Sequence, residues 1–158
     1  MRAFLAALLH DIAKQMPDDE ILKITAEHSL TTDAELLANP KLLHGDVGVV
    51  IAREKFGVND AGILDAIRSH TIGRPAMSIL EKNIFVADIL DHTRDTDPDI
   101  PPHAQASRAS MHTLAYIKHN INAAVYEALI IKRDNTLHKG AALHPLATKA
   151  LEYYQQHM

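Results

Sequence analysis

The sequence predicts an all-α domain. Apolar residues recur with a period near 3.6 along most of the 158-residue chain, and alternating strand patterns do not recur. Ala, Leu and Ile supply most of the apolar residues, and Ala and Leu are strong helix formers. A chain of this length that is 47% hydrophobic can bury one core without a disulfide or structural zinc. We therefore expect a helical bundle with little or no sheet.

Capping and breaking residues predict where the helices begin and end. Pro17 stops the first helix, Gly57 is a typical C-terminal cap, and Ser78 opens a long apolar helix. The stretch 95–102, rich in Asp and Pro, predicts the clearest loop, and no repeat or long linker divides the chain. We expect one domain over residues 1–158. Its predicted helices cover residues 1–15, 18–28, 32–38, 44–57, 59–71, 78–94, 103–134 (one helix or a pair) and 145–155.

Composition and charge exclude several classes of function. The chain has no Cys, which excludes a thiol nucleophile, an iron–sulfur cluster and a cysteine zinc site. The net charge is −4 and the basic residues are scattered, so we expect no nucleic-acid partner. No segment approaches the roughly 18 apolar residues that cross a bilayer. We expect a cytoplasmic protein with no membrane partner.

The eleven histidines are the most unusual feature of the composition, and helical spacing aligns some of them with core residues. Residues three and four apart share a helix face, so His70 continues the apolar stripe of Ile63 and Ile67. Asp88 likewise extends an apolar stripe of the next predicted helix. A carboxylate there is costly to bury unless it is paired or bound to a cation.

The pair His10-Asp11 follows the apolar start of the first helix, and His44 begins a later one. Imidazoles and carboxylates that point inward from several helices are what a metal site in a helical bundle requires. Other interpretations stay open, because a single His is more often an ordinary hydrogen-bonded residue and Asp88 could pair with Arg94. A Ser-His-Asp hydrolase is disfavoured, since the sequence has no G-x-S-x-G motif.

Four motifs occur in a familiar order: LLHDIAK (8–14), LLHG (42–45), AIRSHTIGRPAMS (66–78) and LEKNIFVADILDHTR (80–94). With them the chain resembles the YqeK-type members of the HD-domain superfamily, which are symmetrical hydrolases of diadenosine tetraphosphate. The resemblance implies an HD-domain helical bundle that binds a dinucleoside polyphosphate and cuts it into two ADP.

The resemblance also implies a site for two divalent metal ions, with iron expected and manganese as the alternative. Two such ions lower the pKa of a shared water and hold it in line with a phosphorus atom. Asp11 is the expected bridge between the ions and a catalytic residue. The residues that match the family's ligand positions are His10, Asp11, His44, His70 and Asp88.

A substrate with about four negative charges needs fixed cations at the site. Lys14 lies in the first motif, so we assign it a catalytic as well as a substrate-binding role. Asp91 stands where family members usually carry Glu and is a further candidate for positioning the substrate. A solvated helix face is the alternative for two of the other basic candidates, Lys82 and Arg94. The substrate-binding candidates are Lys14, Arg74, Lys82, Asp91 and Arg94.

The family carries one further metal-binding His on a helix about one helical hairpin before the HD pair, whereas only nine residues precede His10 here. We expect the chain to start at an internal Met of a longer protein and to be short at its N-terminus relative to the family. A helix from a partner subunit, or lost activity, are the alternatives. The apolar surface left uncovered favours a homodimer.

Two other functions stay open. One is an HD-type nucleotidase that acts on mononucleotides. The other is a non-catalytic metal-binding or interaction module associated with nicotinate-nucleotide adenylyltransferase.

Overall fold

Every regular element in the described residues is a helix, which confirms the predicted all-α class. The structure is a computed structural model, and it describes residues 1–90 and 120–158. The described elements are α1 (Arg2–Leu9), α2 (Asp18–Glu27), α3 (Ala34–Ala38), a 3-10 helix (Pro40–Leu43), α4 (His44–Phe56), α5 (Ala61–Ser69), α6 (Ile79–Ile89), α7 (Ile121–His138) and α8 (Pro145–Gln156).

The first helix is shorter than predicted, because α1 ends at Leu9 and not near residue 15. The following residues form turns whose amides bond to the carbonyl three residues earlier, as Lys14 N does with Asp11 O at 3.0 Å. His10 and Asp11 lie where α1 passes into these turns. The predicted loop 95–102 and the helical stretch before residue 120 lie outside the described residues.

Caps set several helix ends where the sequence predicts them. Gly57 ends α4 with φ +64°, a left-handed conformation that suits glycine. Asp60 begins α5, and its carboxylate accepts a hydrogen bond from Ile63 N. Ser78 and Glu81 form a capping box at the start of α6: Ser78 Oγ accepts from Glu81 N at 3.3 Å, and Glu81 Oε2 accepts from Ser78 N at 2.8 Å.

The described chain divides into two compact units. Unit 1 contains residues 1–72 and 78–84, and unit 2 contains residues 73–77 and the described part of 85–158. The expectation of one domain stays a prediction. In unit 1, α1, α4, α5 and the first half of α6 share an apolar cluster built mainly from Ala6, Leu9, Val49, Ala52, Ile63, Leu64, Ile67 and Ile84.

A second cluster of unit 1 packs α2 and the 3-10 helix against α4, around Ile21, Leu43 and Val47. In unit 2, the second half of α6 packs with α7 and α8, and its buried residues include Phe85, Val86, Ala128, Leu129, Ala150 and Tyr154. None of the described helices combines the length and the apolar character that a bilayer crossing requires.

Candidate metal centre

Four of the predicted site residues meet in unit 1. His10 and Asp11 follow α1, His44 is the first residue of α4, and His70 directly follows α5. Each imidazole turns its Nε2 toward the Asp11 carboxylate. The separations are 3.4 Å from His10 Nε2 to Asp11 Oδ2, 3.4 Å from His44 Nε2 to Oδ1, and 3.3 Å from His70 Nε2 to Oδ1.

The other ring nitrogen of each histidine is held by the backbone. A carbonyl oxygen only accepts hydrogen bonds, so each Nδ1 carries the proton and donates it, which leaves Nε2 as the ligand atom of a neutral ring. The three bonds run from His10 Nδ1 to Ala7 O at 2.7 Å, from His44 Nδ1 to Lys41 O at 2.6 Å, and from His70 Nδ1 to Ile67 O at 2.6 Å.

These donors fit a divalent metal. His44 Nε2 and His70 Nε2 lie 3.0 Å apart, and each lies within 3.4 Å of Asp11 Oδ1. Two donors that bind an ion at about 2.1 Å, at an angle of about 90–110°, are themselves about 3.0–3.4 Å apart. One ligand atom each from His10, Asp11 and His70 also lies within 4.8 Å of the others. The cluster therefore has the atoms and the spacing that a metal ion requires.

Asp11 carries a negative charge at the middle of this cluster. Burial alone would raise its pKa, but hydrogen-bonding contacts with His10, His44, His70 and Lys14 outweigh burial and hold the pKa far below its usual range. Lys14 Nζ donates to Asp11 Oδ2 at 2.6 Å. The Lys14 ammonium supplies one positive charge beside this ionised carboxylate, and a bound divalent cation would supply more.

The family model described as "HD domain" matches residues 2–93, which include all four of these residues. The chain belongs to the HD-domain family. It is 46% identical, over 59% of its length, to a Bacillus subtilis protein named "Bis(5'-nucleosyl)-tetraphosphatase, symmetrical", and the match spans 50% of that relative. A Halalkalibacterium halodurans protein with the same name is 33% identical over 91% of this chain and 71% of its own length.

A solved structure shows the same fold. A Clostridium acetobutylicum protein, described as a predicted HD superfamily hydrolase involved in NAD metabolism, superimposes with a TM-score of 0.85. It is 29% identical, and the superposition covers 99% of this chain and 77% of that protein. The fold is therefore that of a known HD domain. The match to the Bacillus subtilis relative spans only about half of that protein's length.

Gly45 allows the HD domain to bring its histidines together. A Cβ at this position would lie 2.7 Å from Thr71 Oγ1 and 2.8 Å from Arg68 O, closer than atoms can pack. Only glycine lets the start of α4 approach the end of α5 so closely, and that approach places His44 beside His70. Thr71 Oγ1 also lies 3.4 Å from His44 Nε2. Sequence reasoning gave Thr71 no role, and its position directly after His70 was the only signal.

A salt bridge supports the same contact between α4 and α5. Arg68 Nε donates to Asp46 Oδ1 at 3.1 Å, and Arg68 Nη1 donates to Asp65 Oδ1 at 3.2 Å. Burial raises the pKa of Asp46, and the Arg68 guanidinium partly offsets that rise. The pair of Arg68 and Asp46 therefore links α5 to the first turn of α4. Arg68 lies two residues before His70, and Asp46 lies two residues after His44.

Asp88, the remaining proposed ligand, belongs to unit 2. Its side chain is 8% exposed, and its Oδ2 lies 3.9 Å from Lys132 Nζ on α7. The same ammonium lies 4.7 Å from the centroid of the Phe85 ring. Asp88 is thus a carboxylate with little solvent access and a cation near it, and its part in a metal site is a proposal.

Of the substrate-binding candidates in the described residues, Lys14 contacts the metal-centre cluster, whereas Arg74 and Lys82 lie on other segments of the chain. Lys14 is in contact with the centre through Asp11. Arg74 follows Gly73, whose φ of +81° is a left-handed conformation that suits glycine, and its Nη1 donates to Pro75 O at 3.3 Å. Lys82 is half-buried on α6. Two further candidates lie outside the described residues, namely Asp91 and Arg94.

Proposed function

We propose that this HD domain is a metal-dependent phosphohydrolase that cleaves diadenosine tetraphosphate symmetrically into two ADP. The observation that carries the proposal is the convergence of three histidine Nε2 atoms on Asp11. It occurs in a chain that shares 33% identity, over 91% of its length, with a relative named as a symmetrical tetraphosphatase.

Asp11 is the proposed bridge between two divalent ions, because its two oxygens face different histidines. Oδ1 is near His44 and His70, whereas Oδ2 is near His10. His44, His70 and Oδ1 would hold one ion, and His10 and Oδ2 would hold the other, for which the family resemblance adds Asp88 as a ligand. Iron is the expected metal and manganese the alternative, since both accept mixed imidazole and carboxylate ligands. When bound, two such ions lower the pKa of a water and neutralise phosphate charge.

The reaction needs no nucleophile from the protein. A water oxygen attacks one of the two central phosphorus atoms and gives up a proton to solvent. The bond from that phosphorus to the central bridging oxygen breaks, and the bridging oxygen leaves with the electron pair as part of ADP. Lys14 is the proposed catalytic cation, because its ammonium already lies at the edge of the centre, 2.6 Å from Asp11. It would stabilise the charge that develops on the leaving phosphate.

The remaining candidates would bind the rest of the substrate. Arg74 and Arg94 can each grip a phosphate with two N–H groups, while Lys82 supplies a point charge. Asp91, which lies in the same motif as Asp88, would help to position the substrate. These assignments follow the family resemblance, and the fixed charges in the motifs support them.

Product analysis tests the proposed function. The protein, loaded with iron under reducing conditions and with manganese in parallel, is incubated with diadenosine tetraphosphate in H₂¹⁸O. We expect ADP as the only nucleotide product, with one ¹⁸O atom for each pair of ADP molecules. ATP plus AMP would contradict symmetrical cleavage. An intact substrate beside rapid mononucleotide hydrolysis would favour the nucleotidase, and no turnover with metal bound would favour the non-catalytic module.

The assembly and location of the protein are also proposals. We propose a cytoplasmic protein, because its relatives are named as enzymes of a nucleotide substrate. A homodimer is supported by the exposed apolar side chains of Phe4 and Leu8 on α1. The molar mass in solution, measured by light scattering, tests the dimer, and a monomer would contradict it.

A further inference from the structure

Glu81 lies in the first turn of α6, and no step of the proposed reaction uses it. The residue is only 1% exposed. Carboxyl groups are seldom buried unless they have specific partners, because losing their water is costly. The hydrogen-bond partners of Glu81 therefore indicate which parts of the fold its buried carboxylate holds together.

Two of these partners lie at the ends of neighbouring helices. Glu81 Oε2 accepts from Ser78 N at 2.8 Å, which is half of the capping box of α6. Glu81 Oε1 accepts from Ser69 Oγ at 3.0 Å, a contact that a capping box does not need. Ser69 is the last residue of α5 and directly precedes His70. Glu81 thus connects the start of α6 to the turn that carries a residue of the metal centre.

That turn sets the direction of the His70 ring. Ser69 Oγ also lies 2.7 Å from Asp65 O, so its single hydroxyl proton is shared between Asp65 O and Glu81 Oε1, and the side chain is held between the body of α5 and Glu81. One residue further along the same turn, His70 Nδ1 donates to Ile67 O at 2.6 Å. A rotation of this turn would change the 3.3 Å distance between His70 Nε2 and Asp11 Oδ1.

We propose that Glu81 is a positioning residue, which acts through Ser69 to hold the last turn of α5 and so keeps His70 Nε2 directed at the metal centre. The inference rests on the metal site of the proposed function. It extends that site to a residue that contacts neither metal nor substrate.

Four variants of the full chain separate positioning from simple stabilisation. S69A removes the link to Glu81 together with the contact to Asp65 O, whereas E81M removes the carboxyl group and leaves the contact between Ser69 and Asp65 O in place. E81Q keeps the contacts with Ser69 and Ser78, because its amide nitrogen can donate to Ser69 Oγ while its amide oxygen accepts from Ser78 N. S78A is the matched control, since it weakens the capping box and leaves the contact between Ser69 and Glu81 in place.

The measurement is the Kd for Mn²⁺ alone, from the electron paramagnetic resonance signal of the unbound ion, with the Tm of each variant. We expect S69A and E81M to raise the Kd by about tenfold, as loss of an outer partner of a metal ligand does. E81Q and S78A should stay within about twofold of the wild type. The proposal is overturned if S69A or E81M leaves the Kd for Mn²⁺ unchanged. It is also overturned if S78A, at an equal loss of Tm, raises that Kd as much as E81M does.

The readout does not depend on nucleotide hydrolysis. A wild-type protein that binds Mn²⁺ but leaves diadenosine tetraphosphate intact contradicts the proposed function, while the order of the four Mn²⁺ affinities still decides the role of Glu81.

Discussion

The Nε2 atoms of His44 and His70 lie 3.0 Å apart, although the two residues are 26 positions apart in the sequence. Each ring donates its Nδ1 proton to a backbone carbonyl three residues earlier. In two neutral rings, both Nε2 atoms would therefore direct lone pairs at each other. A cation between them removes this repulsion, so the folded chain favours occupation of the site by a positive charge.

Divalent metal is accordingly expected to stabilise the fold. At a Mn²⁺ concentration about 100 times its Kd, binding adds about 2.7 kcal/mol to the free energy of unfolding. For a domain of this size, that corresponds to a rise in Tm of about 5–10 °C. Differential scanning fluorimetry with and without Mn²⁺ measures the shift, and a chelator should reverse it. A Tm that does not respond to Mn²⁺, iron or a chelator would contradict the metal site.

Replacement of Asp11 by Ala is expected to abolish turnover while the fold persists. The substitution removes the only carboxylate described between the three histidines, and with it the proposed bridge. We expect kcat to fall at least about 100-fold, a loss typical of removing a charged group at a catalytic centre. Asp18→Ala, on the exposed first turn of α2, is the matched control and should retain full activity. Activity that survives Asp11→Ala would exclude the bridging role.

Gly45→Ala tests the close approach of α4 to α5. The added methyl group meets the backbone carbonyl of Arg68 at 2.8 Å, so the helices must separate at a cost of about 1–3 kcal/mol. We expect weaker Mn²⁺ binding as well, because the separation moves His44 away from His70. Gly57→Ala is the control on the same helix: it meets nothing within 4 Å, but its φ of +64° costs about 1–2 kcal/mol. Equal Mn²⁺ affinities in the two variants would contradict this account.

Tyr154→Phe is expected to destabilise unit 2. The ring is fully buried, and its hydroxyl oxygen accepts a hydrogen bond from Met77 N at 2.9 Å. Phe leaves that buried amide without this acceptor, at a cost of about 1–3 kcal/mol in the free energy of unfolding. Urea denaturation measures the loss. Tyr153→Phe, which changes a half-buried neighbour, should stay within about 0.5 kcal/mol of the wild type.

Much of the fold could be predicted because its signals are local. Gly57 predicted the end of α4, because a helix end favours the left-handed φ angle that glycine adopts there. The predicted end of α1 was wrong, because no local signal in the sequence separates residues 10–16 from the helix before them. Side-chain contacts of His10 and Asp11 with distant residues accompany the tighter turns there.

The candidate site was predicted in part. His70 followed from its place on an apolar stripe, and the motifs supplied His10, Asp11 and His44. Thr71 and Glu81 were missed because their importance comes from neighbours on other helices. Glu81 has the spacing of an ordinary capping residue, and only its contact with Ser69 distinguishes it.

The sequence by itself determined the helical class, most helix ends and the residue types able to bind a metal, because periodicity, capping and donor chemistry are properties of short segments. The tertiary structure decided which of those donors meet. The absence of a side chain at Gly45 lets α4 pack against the end of α5, and the packing of α1 with α5 places Asp11 beside His44 and His70. Distances between side chains far apart in the chain depend on how the helices pack, which no local pattern encodes.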